Sequence, residues 1–324
     1  MTLAFSTGDP AGIGPHVSVR AAIETAREGE DVILFGDAAQ LEPLLAEGDP
    51  RISIVDVARV DPARIAKHAP DPECGAAQLA ALDRAVDCVR AGHARALVTA
   101  PISKAAIVLA GHPRFVGHTE HLARGAGLAD DEVTMMFLGP RLRLALVTTH
   151  LAVKDVPGAL TIERVARATV HLGDALARVS RRKAPVLAIA GLNPHAGEVG
   201  LFGDEEIRVL EPALAQARER EPFASGRVTL AGIVPAESAL RRAADGALDG
   251  VVCMFHDQAT IASKLLDWGA AVNVTWGLPF VRTSVDHGVA YDAAAAGKGD
   301  PEGMIAAARM ARVLAGPVGP IPAT

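Results

Sequence analysis

Short aliphatic runs alternate with amphipathic stretches along almost the whole 324-residue chain, and this alternation restricts the fold more than any other feature. The runs, at 3–6, 32–35, 52–57, 96–99, 134–138, 142–148, 186–192, 229–234, 251–255 and 271–275, are rich in Val, Ile and Leu. Each is closed by Gly, Pro or polar residues, as buried strands are. Helical patterns lie between them at 15–27, 74–90, 162–179, 205–220, 236–244 and 301–314. In 162–179, Ile162, Val165, Ala166, Leu172, Ala175, Leu176 and Val179 recur at three- and four-residue spacing, which marks one buried face. The pattern from 205 has Asp204 placed to cap it and Pro212 placed to kink it. Such regular alternation specifies an α/β protein with a mostly parallel sheet. The Pro- and Gly-rich end, 316–324, reads as a loosely held tail.

Half of the residues are hydrophobic, yet the aromatics are only eight Phe, two Trp and one Tyr. The apolar content is therefore aliphatic, which suits helices packed on a parallel sheet. A net charge of −6 with so few stacking rings argues against nucleic acid as a partner. Cys74, Cys88 and Cys253 are too far apart in sequence to suggest a disulfide framework or a cysteine-based zinc site, and they fit a reducing cytoplasm. The opening Met1-Thr2-Leu3-Ala4-Phe5 has no basic flank and does not read as a signal peptide. No apolar run approaches the ~18 residues of a membrane span. Composition marks no domain boundary.

In a parallel sheet the functional groups gather at the carboxyl ends of strands. His150, His195 and His256 each follow such a run. Three imidazoles at equivalent places suit a catalytic zinc, cobalt or nickel site, although any one of them can equally cap a backbone carbonyl. Gly12-x-Gly14 fails as a dinucleotide fingerprint, because Val17 stands at the third glycine position. It reads as a turn shaped by Gly and Pro. Gly117-His118-Thr119-Glu120 combines an imidazole, a hydroxyl and a helix start, which suits a phosphate pocket as well as a simple cap. Arg282 lies in an apolar loop, where a guanidinium calls for an anion. Lys264 falls in an Ala/Leu-rich helical stretch, where a lysine is ordinarily solvated.

Several blocks together carry a resemblance. Gly8-Asp9-Pro10-Ala11-Gly12-Ile13-Gly14-Pro15, Gly117-His118-Thr119-Glu120, Asn193-Pro194-His195-Ala196-Gly197-Glu198, His256-Asp257-Gln258 and the stretch 277–288 resemble the 4-hydroxythreonine-4-phosphate dehydrogenases of pyridoxal phosphate biosynthesis. The likeness runs in order from residue 6 to about 305. It implies an isocitrate/isopropylmalate-dehydrogenase-like fold, two α/β/α domains around a cleft, in a homodimer with shared active sites. The expected domains are 1–113 with about 288–324 on the NAD(P) side, and 114–287 carrying metal, substrate and dimer contacts. The resemblance assigns His150, His195 and His256 to a divalent metal (zinc, cobalt or magnesium), one of them supplied by the partner subunit. It assigns His118, Thr119, Lys264, Asn273 and Arg282 to the substrate, with Lys264 also taking the hydroxyl proton. His287 and Asp292 fall to the nicotinamide cofactor.

The implied reaction oxidises 4-phosphooxy-L-threonine to 2-amino-3-oxo-4-phosphooxybutanoate, which loses CO₂ to give 3-amino-2-oxopropyl phosphate. Rival readings are a paralogue acting on 4-phosphoerythronate or phosphothreonate, a relative acting on unphosphorylated aromatic cis-dihydrodiols, and a non-catalytic binding protein. His16, Ser103, His121, Trp276 and the run 259–263 depart from the family pattern and bear on substrate shape.

Overall fold

The computed structural model describes residues 1–45 and 48–316, so most of the tail read at 316–324 lies outside the described residues. The chain divides into two compact units, Met1–Ala126 with Leu278–Ala315, and a second over Gly127–Gly277. Residues 114–126 and 278–287, which sequence reasoning groups with the second domain, thus fall in the first. Leu122, Leu278 and Phe280 pack with Ala4, Phe35 and Leu97 in the core of that unit.

In the first unit, β1 (Thr2–Ser6), β2 (Asp31–Gly36), β3 (Ile52–Asp56), β4 (Ala96–Thr99) and β11 (Val281–Ser284) form a parallel array in the order β3-β2-β1-β4-β11. β4 is buried along its whole length, whereas β3 is partly open, as befits an interior and an edge strand. Helix Pro72–Arg90 begins with Asp71, whose carboxylate accepts from the Glu73 amide, and with Pro72 in the first turn. Its Ala81, Leu82 and Ala85 cover Ala4, Phe35 and Leu97. Helices Gly14–Arg27 and Glu302–Ala315 pack on each other and on the sheet.

β11 is the element that sequence reasoning treats as a loop. Its four residues include Arg282, which breaks the apolar pattern, yet pairing with β4 buries that arginine completely.

The second unit holds β5 (Thr134–Leu138), β6 (Arg143–Leu146), β7 (Val186–Ala190), β8 (Thr229–Val234), β9 (Gly250–Cys253) and β10 (Val272–Trp276). Their order is β10-β5-β6-β9-β7-β8, antiparallel from β10 to β6 and parallel from β6 to β8. Leu142, Leu144, Leu146, Val251 and Cys253 form its core with Ala239 and Ala243 of helix Ala236–Ala244. Helix Ile162–Val179 has the expected bounds and is capped by Thr161, although Ile162 itself stays exposed. The pattern at 205–220 is split into a wide π-turn, Glu206–Leu210, and an α-helix, Glu211–Arg218, with Pro212 in its first turn. Proline has no N–H to donate, so the turn before it opens. Asp204 does not cap this segment, because its carboxylate takes Arg208 Nε at 2.7 Å instead.

His171, midway along Ile162–Val179, is half-buried against Thr134, with Nδ1 and Oγ1 2.8 Å apart. Burial pushes it down to about 4. The unfolded chain takes up this proton first, near its ordinary value of ~6.5. Folding stability is therefore full above that value and falls as pH drops from ~6.5 towards about 4. The loss attributable to this group is about 3 kcal/mol at the acid end. His171→Asn, which keeps a partner for Thr134 but does not titrate, is expected to flatten this part of the pH profile in urea unfolding. An unchanged acid slope would contradict the assignment.

Candidate active site

β6, β9 and β7 are neighbours in a parallel array, so their carboxyl ends share one edge. His150 follows β6, His256 follows β9 and His195 follows β7. The β6 and β9 ends are tied together, because Thr148 donates both its amide, at 3.2 Å, and its hydroxyl, at 2.8 Å, to the Met254 carbonyl. That tie brings the His150 and His256 rings to a centroid distance of 5.7 Å. His256 opens helix His256–Leu266, and its Nδ1 lies 2.6 Å from Asp257 Oδ1, which fixes the ring and leaves Nε2 for other use. Gln258 accepts from the Met254 amide and donates to the Gly191 carbonyl, joining β9 to the loop of His195.

His195 lies exposed on that loop, 6.0 Å from the Phe202 ring. Among the described residues no three His, Cys, Asp or Glu side chains form a metal cluster, so one chain brings together two of the three expected ligands. Two imidazoles, one held by a carboxylate, are nitrogen donors suited to zinc or cobalt; magnesium prefers oxygen.

Lys264 and Asn273 belong to the same unit. Asn273 is half-buried in β10, and Lys264 is exposed with Nζ 5.8 Å from the centre of the Trp268 ring. The segments that carry the histidines also bear large exposed apolar residues: Val153, Val199 (95% exposed), Leu201, Ile261, Leu265 and Trp268 (79% exposed). Trp276 is half-buried at the end of β10 with the Arg178 guanidinium 5.6 Å from its ring centre.

The first unit holds the cationic surroundings of His118. Helix His118–Gly125 starts after Gly117, and Lys104 Nζ would lie 3.7 Å from a side-chain carbon placed there. Thr119 is buried in the first turn. His118 Nε2 is buried with no hydrogen-bond partner. Burial, reinforced by the positive charges of Arg282, His121 and Lys104, holds the His118 imidazole well below its ordinary range, so the ring is neutral. Arg282 donates to Thr99 Oγ1 through Nε at 3.2 Å and Nη2 at 2.8 Å. Burial pushes it down to about 9, with the Glu120 charge acting the other way. His118, Thr119 and Arg282 thus belong to one locale. Lys104 beside it was not among the expected residues. His121 pairs with Asp83 at 2.6 Å, and Ser103 caps the helix Lys104–Leu109.

Two loops of this unit clasp each other. The Ile13 amide donates to the Val289 carbonyl at 3.0 Å, and a side chain on Gly12 would strike that same carbonyl. Tyr291 donates to Asp9 Oδ2 at 2.7 Å, while Asp9 Oδ1 accepts from the Ala11 amide. Asp9 is fully buried, and burial pushes its carboxyl up. His287 and Asp292 flank this clasp as exposed side chains; Asp292 lies in the first turn of helix Tyr291–Ala295. The Asp9–Tyr291 link was not foreseen, although Asp9 stands inside the Gly8-Asp9-Pro10 block.

Residues 17–311 match the family described as pyridoxal phosphate biosynthetic protein PdxA. The chain belongs to this family. It is 39% identical to the 4-hydroxythreonine-4-phosphate dehydrogenase of Desulfosudis oleivorans, over 99% of this chain and 98% of the relative. It is also 39% identical to the D-threonate 4-phosphate dehydrogenase of Salmonella typhimurium, over 97% and 99%. A crystal structure of 4-hydroxythreonine-4-phosphate dehydrogenase from Klebsiella pneumoniae is similar with a TM-score of 0.80 and 34% identity, covering 98% of this chain and 99% of that one. The fold extends to isocitrate dehydrogenase from Methylococcus capsulatus, at a TM-score of 0.51, 16% identity and coverage of 96% and 84%, as the expected fold class requires.

Tyr291→Phe removes a donor from the buried Asp9 carboxyl. The expected cost is about 1–3 kcal/mol in equilibrium unfolding, as for other buried groups left short of a partner. An unchanged unfolding free energy would show that Asp9 does not depend on the phenol.

Proposed function

We propose that this member of the PdxA family oxidises the secondary alcohol of 4-phosphooxy-L-threonine, using NAD(P)⁺ and a divalent metal. The product, 2-amino-3-oxo-4-phosphooxybutanoate, is a β-keto acid and loses CO₂ to give 3-amino-2-oxopropyl phosphate. The observation that carries the reading is the buried, partnerless His118 Nε2 standing in the positive field of Arg282 and Lys104. A neutral imidazole nitrogen beside two cations is a receptor for a phosphate monoester.

In this reading Thr119 and His118 hold the phosphate with Arg282, whose fork is pre-aimed by Thr99. Fixing the phosphate fixes the carbinol carbon relative to the hydride acceptor. Asn273 orients the amino acid end. Lys264, in its neutral form, takes the hydroxyl proton, while His287 and Asp292 bind the nicotinamide cofactor. His150, His256 and His195 are the metal ligands, with one of the three coming from a second copy. A zinc or cobalt ion bound there supplies Lewis acidity towards the alcohol oxygen. The exposed Val153, Val199, Leu201, Leu265 and Trp268, in the segments that follow those ligands, support a homodimer that covers this edge. The same cover would take Lys264 out of water. No helix of the described residues is long and apolar enough to cross a membrane.

The similarity to a D-threonate 4-phosphate dehydrogenase at the same identity favours one second reading, a phosphorylated sugar acid in place of the amino acid. Both substrates present a phosphate and a secondary alcohol, so the phosphate pocket serves either.

Purified protein with NAD⁺ or NADP⁺ and added Zn²⁺, Co²⁺ or Mg²⁺ is expected to reduce the cofactor with 4-phosphooxy-L-threonine. Turnover of 4-phospho-D-threonate or 4-phosphoerythronate alone would establish the second reading. Leu265→Arg is expected to shift the sedimenting species towards the monomer and to lower turnover at least tenfold. A dimeric, fully active variant would remove the interface from this edge.

A further inference from the structure

Residues His195, Ala196, Gly197, Glu198 and Val199 have φ of 54°, 54°, 79°, 44° and 58°, five consecutive left-handed conformations of which only one belongs to a glycine. Residues with a Cβ disfavour that region, and a run of them does not persist on local preference. Something outside the run holds it, and Glu206 is placed to do so. Its side chain is only 4% exposed, and it reaches back across the loop from the π-turn. Oε1 accepts the amides of Leu192 and Asn193, each at 2.8 Å, and Oε2 accepts Asn193 Nδ2 at 2.8 Å.

The loop is moulded around this carboxylate. A side-chain carbon on Gly197 would come within 2.8 Å of Oε2, and one on Gly191 within 3.3 Å of Oε1. Three donors converge on an acceptor-only group, a demand that a glutamine cannot meet with both of its side-chain atoms. Since Gln258 ties Gly191 to the β9 end, the carboxylate also fixes the His195 loop relative to His256.

We propose that Glu206 is a positioning residue that holds the loop 192–199, with its left-handed run 195–199, in place, so that His195 is presented as a ligand. This rests on the reading of His195 as a metal ligand given above.

The test is a Co²⁺ titration of the full-length protein, followed by visible absorbance without substrate or cofactor. It compares Glu206→Gln, Glu206→Ala and His195→Ala with the unaltered chain. Removing a group that orients a ligand typically costs about 10–100-fold in metal affinity. Glu206→Gln is expected to weaken Co²⁺ within that range, Glu206→Ala at least as much, with amide hydrogen exchange across 192–203 accelerated in the metal-free protein. If His195→Ala loses Co²⁺ while Glu206→Gln retains full affinity and unchanged exchange, the positioning role falls and the metal reading stands. If His195→Ala binds Co²⁺ as well as the unaltered protein, the metal reading falls, and the inference with it. Should neither Glu206 variant fold, Asn193→Ala loosens the same loop from its other side, and undiminished Co²⁺ affinity there overturns the proposal.

Discussion

The parallel pairing of β6, β9 and β7 sets the positions on which the histidine edge depends. Neighbouring strands lie ~4.8 Å apart, so side chains that leave adjacent strand ends at once can meet, while one carried farther along a loop depends on how that loop is held. His150 and His256 are the adjacent case, and their rings approach to 5.7 Å through the Thr148–Met254 tie. His195 leaves β7, which also pairs with β9, but it stands five residues beyond the strand end, on the loop built from left-handed residues around a buried carboxylate. The irregular backbone sits where strand geometry alone no longer delivers the side chain.

The regular elements were legible because their signal is local. β4, β5, β8 and the helices Ile162–Val179 and Ala236–Ala244 fall where periodicity puts them. What escaped depends on partners far away in the chain. β11 becomes a strand only because β4, some 180 residues earlier, pairs with it and hides Arg282. Glu206 sits in a helical pattern like many surface glutamates, and nothing in its neighbourhood announces that its carboxylate turns inward to Leu192 and Asn193. The strand-end histidines and the Gly117-His118-Thr119-Glu120 block were visible as residue types. Their electrostatic state was not, since it depends first on burial and then on the charges of Arg282 and Lys104 from separate elements.

The glycines of the first loop show how a familiar pattern can serve a different end. Gly8 takes φ of 73°, and a side chain there would strike the Pro101 carbonyl; Gly14 lies equally close to the carbonyl of Thr7. Gly12 lets the backbone of Val289 come close. These are contacts between crossing loops, each of which excludes a Cβ, and none requires a dinucleotide. The failed fingerprint is thus a positive finding about packing. The loop holds Asp9 where Tyr291 can reach it, and so braces the segment 287–292 from beneath.

The His118 pocket has an electrostatic consequence for selectivity. Burial weakens the hold of Arg282 on its proton, against the charge of Glu120, and keeps His118 neutral. A phosphate held there, as proposed, would reverse both effects at once: it would stabilise the guanidinium and draw His118 towards protonation, turning its idle nitrogen into a donor. A doubly charged monoester gains twice from this reversal, a carboxylate gains once, and a neutral diol gains from neither group. Under the proposed function, discrimination between phosphorylated and unphosphorylated alcohols would reside in the first unit, in residues that touch no reacting atom.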